Sequence, residues 1–166
     1  LSANRIDIIR AIINGTSNFI LTCMSEQNMD EVDALQLAQS LGYAEADPYD
    51  DVEGIDASYK LAILATLAFQ SKIHPDQVYT EGISTLQPKD FQYARELGYA
   101  IKLLAIAKRE MKEIQVRVHP VLVSDNHIFA KVVGVFNAVE LEGNLLGRTL
   151  FHGLGAGQGP SASAVL

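Results

Sequence analysis

Apolar and polar positions recur with two different periods along this chain, and the change falls near His74-Pro75. Before that point the spacing is mostly helical. Arg5 to Ile13 and Ser17 to Glu26 read as helices, separated by the turn signal Asn14-Gly15-Thr16. In the second of these, Phe19, Ile20, Cys23 and Met24 make one apolar stripe. Asp30 to Leu41 predicts an amphipathic helix, with Asp30 as N-cap, Asp33 in the first turn and Gly42 closing it. Its apolar positions are Val32, Leu35, Leu37 and Ala38. Gly54 to Phe69 predicts a further helix whose Ile55, Ala62, Ile63 and Leu67 face a core.

After His74-Pro75 the pattern turns toward strands. Val78 to Ile83 predicts a short strand, and Lys89 to Leu97 a short helix between Gln87-Pro88 and Gly98. Tyr99 to Arg109 leaves helix and strand both open, and its near-continuous apolar run IKLLAIA, flanked by Gly98 and charged residues, favours a buried strand. Ile114 to Val123 alternates and reads as a strand. Ile128 to Leu141 and Asn144 to Phe151 predict two more, joined by a hairpin-type turn at Glu142-Gly143-Asn144. The glycine-rich end leads into the start of a helix. Helices first and strands later, without βα alternation, give an α+β fold class. The expected arrangement is N-terminal helices packed on one face of a mixed, largely antiparallel sheet, all within a single domain, 1–166.

Composition narrows the functional classes. A chain of 166 residues with 48% apolar and 20% charged residues buries a core and is globular rather than disordered. The net charge of −7 argues against nucleic acid or an anionic membrane as the main partner. The apolar run near Leu61 to Phe69 is too short to span a bilayer, and no signal-peptide pattern opens the chain. The single cysteine, Cys23, makes no internal disulfide and no Cys/His zinc spacing. A cytoplasmic location is the expectation. The chain starts without Met and ends in an apolar run, and it reads as a piece of something longer.

The chemistry concentrates between Leu41 and Lys60. Glu45, Asp47, Asp50, Asp51, Glu53 and Asp56 crowd into this stretch, and Lys60 follows Asp56 at i, i+4. Three readings compete for the acidic loop: a solvated charged rim, a metal site, or a site for the ammonium of an amino-acid substrate. The run D-x-x-D-D-x-E-G offers hard oxygen ligands, but its glycine falls at the eighth place and no glutamate closes it, so it is not an EF-hand. Asp56 and Lys60 project from the same helix face. As a surface ion pair they contribute only about 0.3–0.5 kcal/mol. Partly buried beside carboxylates, the ammonium would instead be a positioned proton donor. Asn14-Gly15-Thr16-Ser17 is a turn opening a helix, either a plain N-cap or an anion site. Gly153-x-Gly155-Ala156-Gly157 begins like a nucleotide loop but lacks a surrounding βαβ unit. His74, His119, His127 and His152 show no ligand spacing.

Together the segments INGTSNFILTCM, LGYAEADPYDDVEGIDASYKLAILA, ELGYAIKLLAIAK, GVFNAVELEGNLLG and FHGLGAGQGPSASAV resemble homoserine dehydrogenases, in order and over essentially the whole chain. The resemblance implies a central catalytic and dimerisation domain of an enzyme that reduces L-aspartate 4-semialdehyde to L-homoserine with NADP or NAD in reduced form, on the route to threonine, isoleucine and methionine. It implies direct hydride transfer, with Lys60 as proton donor at the substrate oxygen and Asp56 orienting it. Glu45, Asp51, Gly15, Thr16 and Tyr43 would border the substrate, and Gly155 and Gly157 the cofactor. No catalytic metal is implied. The family's Rossmann fingerprint, its second active-site lysine and its monovalent-cation loop have no match here. The chain alone is therefore expected not to turn over. The expected partners are the small-molecule substrate and a second copy in a homodimer, with no nucleic acid and no membrane. The alternatives are a non-catalytic dimerisation module and a calcium-binding domain.

Overall fold

The computed structural model describes residues 4–111, 113–156 and 158–165. The chain opens on a strand, β1 (Ile6–Ile12), followed by helices α1 (Gly15–Gln27), α2 (Glu31–Ser40), α3 (Tyr49–Val52) and α4 (Ile55–Phe69). Then come β2 (Tyr79–Thr80), α5 (Pro88–Glu96), β3 (Tyr99–Glu110), β4 (Glu113–Ser124), β5 (Phe136–Gly143), β6 (Gly147–Leu154) and α6 (Gln158–Val165). One six-stranded sheet has the order β2-β4-β3-β1-β5-β6. Only β2 against β4 is parallel, so the sheet is mixed and largely antiparallel, and the fold is α+β.

The first segment corrects the helical reading of Arg5 to Ile13. It is the inner strand between β3 and β5. Ile9, Ala11 and Ile13 join the main core while Ile12 joins a second cluster on the opposite face. A strand buried on both sides has apolar residues nearly everywhere, so its period is hidden. A bulge between Ile6 and Ile8 hides it further by shifting the register. Five isoleucines among residues 6–13, each stiff at χ1, favour the extended form. Strands therefore do not simply follow helices here; the inner strand comes first.

The main core lies between one face of the sheet (Ile101, Leu103, Ala105, Ala107) and the helices, including Ile20, Met24, Leu61 and Phe91. On α4 the buried face is Ala57, Ser58, Leu61, Ala62, Ala65 and Phe69. Ala62 meets the expectation and Ile55 is half-buried, but Ile63 and Leu67 are 61% and 73% exposed. Four of the six buried positions are small (Ala57, Ser58, Ala62 and Ala65), with Leu61 and Phe69 the large side chains among them, and Ile63 and Leu67 fall on the outward side of the helix. Val32 on α2 is likewise exposed, while Ala38 is buried.

Ile128 to Leu141 is not one strand. Ile128–Lys131 forms a 3-10 turn, Gly134 takes φ +62, and β5 starts only at Phe136. Phe129 and Val132 thereby fold against Ile12, Leu104 and Ala138 on the face away from the helices. Buried Lys102 on β3 and Asn18 on α1 fasten this crossing segment: Lys102 Nζ donates to Val132 O at 2.6 Å and to Asn18 Oδ1 at 3.3 Å. The Asn18 amide donates to the carbonyls of Val132, Gly134 and Phe136. Two smaller corrections concern strand ends. Val78 to Ile83 keeps only Tyr79–Thr80 as strand, and β6 begins at Gly147, after a turn over 144–146.

Candidate active site

Three elements deliver side chains to one place. The turn after β1 supplies Asn14, Gly15 and Thr16 at the start of α1. The acidic stretch supplies Glu45 and, from α3, Asp51. The first turns of α4 supply Asp56 and Lys60. The acidic loop is thus partly helical. Gly54, at φ +76, makes the corner between α3 and α4, a conformation that strains any residue with a Cβ. That corner turns Asp51 and Asp56 toward the same partner.

A cavity of about 400 Å³ is lined by Asn14, Gly15, Thr16, Tyr43, Glu45, Asp51, Asp56 and Lys60, with Val135, Asn137, Gly155 and Ala156 across from them. Eight of the nine residues proposed from sequence line it; Gly157 lies outside the described residues. Lys60 Nζ donates to Asp56 Oδ2 at 2.6 Å and to the Ile13 carbonyl at 3.4 Å. Its side chain is 49% exposed and that of Asp56 31%, so the pair contributes stability on the scale of a surface ion pair and leaves the ammonium open to the cavity. Thr16 Oγ1 donates to Tyr43 O at 2.6 Å, and the Tyr43 ring meets Phe19 edge-on at 5.0 Å. These contacts fasten the loop to α1.

Sequence reasoning missed two polar residues. Asn14 had been read as part of a turn, and an N-cap does explain its Oδ1, which accepts from Ser17 N at 2.8 Å. Its Nδ2, however, donates to Asp51 Oδ1 at 2.6 Å and to Asp56 Oδ2 at 2.9 Å. Asn137 lies on β5 opposite Gly153, and its Oδ1 is buried without a hydrogen-bond partner among the described residues. A Cβ at Gly155 would stand 1.8 Å from Asn137 Nδ2, so only glycine lets this segment lie against that amide. A polar residue inside the strand pattern of GVFNAVELEG was the available signal.

Beside Lys60 a shallower cleft of about 310 Å³ is walled by Ile13, Ile63, Leu64, Asn137 and Gly155. A larger cleft of about 550 Å³ lies elsewhere, around Lys72, Tyr79 and Arg117, and holds no carboxylate. Among the described residues no three His, Cys, Asp or Glu side chains are grouped to hold a metal ion. A lysine beside a carboxylate, further acids and the N–H groups of the first helical residues can bind a zwitterion and give it a proton.

The family model for homoserine dehydrogenase matches residues 1–166. The chain belongs to the homoserine dehydrogenase family. Homoserine dehydrogenases of Pseudomonas aeruginosa and Neisseria gonorrhoeae are 52% and 50% identical to it over 166 residues, all of this chain and 38% of each relative. The crystal structure of a homoserine dehydrogenase from Thiobacillus denitrificans superposes with TM-score 0.97 at 52% identity, over 99% of this chain and 38% of that one. A hyperthermophilic archaeal homoserine dehydrogenase in complex with NADPH superposes at 0.81 with 31% identity, over 99% of this chain and 46% of that one. The chain thus spans about two fifths of the curated relatives it matches. Among the described residues no helix is long and apolar enough to cross a membrane.

Proposed function

We propose that this chain is the catalytic and dimerisation domain, a single domain over 1–166, of an NAD(P)-dependent homoserine dehydrogenase that interconverts L-aspartate 4-semialdehyde and L-homoserine in cytoplasmic amino-acid biosynthesis. The observation that carries this reading is the convergence of Lys60, Asp56, Asp51 and Glu45 with the start of α1 on one cavity. The carboxylates of Glu45, Asp51 and Asp56 hold the α-ammonium. The N–H groups of Gly15 and Thr16 face the α-carboxylate at the positive end of α1. Lys60, oriented by Asp56, gives a proton to the carbonyl oxygen as it gains negative charge, and takes it back in the oxidation direction. Tyr43 closes the side of the site above α1.

A nicotinamide fits the wall that adjoins Lys60. Gly155 presents bare backbone there, Ile13, Ile63 and Leu64 offer an apolar surface, and Asn137 holds beneath them an amide oxygen with no partner among the described residues. Bound there, with Gly155 against it, the cofactor would supply or accept the hydride. The rest of the dinucleotide calls for a binding region that this chain's motifs do not provide. The homodimer reading rests on the sheet face away from the helices. Beyond the crossing segment that face carries partly buried Ile106 and Leu150 beside the ion pairs of Arg10 with Glu140 and Glu142, at 2.6 and 3.2 Å.

The test is NADPH oxidation by the full-length protein with L-aspartate 4-semialdehyde, beside the same assay on residues 1–166 alone. Turnover by the full-length protein and none by the excised stretch is the expected result. No turnover by the full-length protein, with either dinucleotide, ends the reading.

A further inference from the structure

The amide of Asn14 does three things at once. The residue is 5% exposed and sits in the turn between β1 and α1. Its Oδ1 caps α1 through Ser17 N, and its Nδ2 donates to Asp51 and Asp56, which come from two different helices. The partners fix the amide orientation, because the reverse would set its oxygen against two carboxylates. Asp56 Oδ2 also receives Lys60 Nζ at 2.6 Å, so a single neutral side chain links the start of α1, both acids and, through Asp56, the lysine.

The choice of group is chemically restrictive. Two carboxylates this close repel and need a donor between them. A cation in that place would neutralise the charge that an incoming ammonium needs. An amide has two N–H groups, one for each acid, and adds no charge. It occupies one oxygen of each carboxylate; among the described residues no other side-chain hydrogen bond reaches Asp51 Oδ2 or Asp56 Oδ1.

We infer that Asn14 is a positioning residue for the reaction, which holds Asp51 and Asp56 so that each keeps one oxygen for the substrate ammonium and Asp56 stays in register with Lys60. This rests on the function proposed above. Asn14 acts through the acids and touches neither the transferred proton nor the carbonyl.

The cap and the clamp can be separated by substitution. Asn14→Asp and Asn14→Ser both keep a side-chain oxygen for Ser17 N and are good N-caps, but neither can donate to both acids. Asp also places a third carboxylate there. Both variants are made in the full-length enzyme, with kcat and KM for L-homoserine, KM for NADP and the melting temperature measured. Expected for Asn14→Asp are a tenfold or greater rise in KM for homoserine and a tenfold or greater fall in kcat in the folded fraction, with a lowered melting temperature because a third carboxylate is buried beside two others. KM for NADP should stay within about twofold, and Asn14→Ser should show the same split more mildly with melting near the wild type. If Asn14→Asp fails to fold, the serine variant decides. Kinetics within twofold of wild type in the folded variants reduce Asn14 to a helix cap and overturn the inference, as does a uniform loss of activity that follows the fraction unfolded. A wild-type enzyme that fails to oxidise homoserine defeats the underlying function as well, an outcome distinct from an active wild type with unaffected variants.

Discussion

Lys60 and Lys102 show two ways of placing an ammonium in one small protein. Lys60 stands at the rim of the acidic cavity, 49% exposed in its side chain, with a carboxylate 2.6 Å away. Lys102 stands under the crossing segment, 4% exposed, and its hydrogen-bond partners are a carbonyl and an amide oxygen. Burial pushes its pKa down to about 8, against a small opposing pull from Glu26. Water and a counter-charge offset the cost of holding the first ammonium and leave it open to the cavity. The second carries a desolvation penalty and is closed off from any ligand. A lysine at a cavity rim and a lysine inside the fold therefore differ in access and in partner, and both differences can be broken by mutation.

The largest expected effect is on the first. In the full-length enzyme Lys60→Ala should lower kcat roughly 10²–10⁴-fold, the usual scale for a lost general acid, with KM for the dinucleotide little changed. Steady-state kinetics in the reducing direction measure this. A loss under about fivefold would remove Lys60 from the proton-transfer role and make it one more rim charge.

That contrast was half legible in the sequence. The i, i+4 pair of Asp56 and Lys60 could be placed on one helix face because helical spacing depends only on local geometry. The acids could be grouped because they are close along the chain. Lys102 sits in IKLLAIA, a run read as a buried strand, yet nothing in that run reveals which backbone carbonyls a lysine will meet. The one it meets, that of Val132, lies 30 positions away, in a segment read as strand that instead folds across the sheet. Asn14 was hidden for a related reason: its local role as N-cap was a sufficient explanation, and its two other partners are 37 and 42 residues on. β1 was misread because burial on both faces removes the alternation that marks a strand. Contacts made along the chain were readable, whereas those made by its return were not, except where the likeness to a family supplied them.

A second, intermediate effect concerns Lys102 and pH. In the unfolded chain its proton is held to about 10.5, and in the folded protein it is released near 8. Between these values the unfolded state binds more protons, so the free energy of unfolding rises with pH. The desolvation penalty is in full force below pH 8 and is relieved as pH climbs toward 10.5. At about 1.4 kcal/mol per pKa unit the span amounts to about 3 kcal/mol. Lys102→Met abolishes the titration. It also leaves the Asn18 oxygen short of a donor, at a cost of about 1–3 kcal/mol for a buried group, while the Val132 carbonyl keeps the Asn18 amide. Urea melts of wild type and variant at intervals from pH 7 to 10.5 should therefore show the wild type gaining on the variant as pH rises. A constant gap between them would mean that this lysine does not titrate on folding.

The smallest effect is the most diagnostic of the difference. A half-exposed i, i+4 pair contributes roughly 0.3–0.5 kcal/mol, because solvent screens the attraction and two long side chains lose freedom to hold it. Removing Lys60 also frees Asp56 from its cation but leaves that acid its bond from Asn14. Lys60→Ala should thus unfold within about 0.5 kcal/mol of wild type in urea at neutral pH, while its turnover collapses. Loss of stability on the scale of about 2–3 kcal/mol, the cost of breaking a buried polar contact, would show Lys60 working as a structural cation, and the activity loss would then reflect a distorted site rather than a missing proton donor. A stable but inactive Lys60→Ala beside a Lys102→Met whose stability falls further behind the wild type as pH rises is the pairing that separates the two lysines.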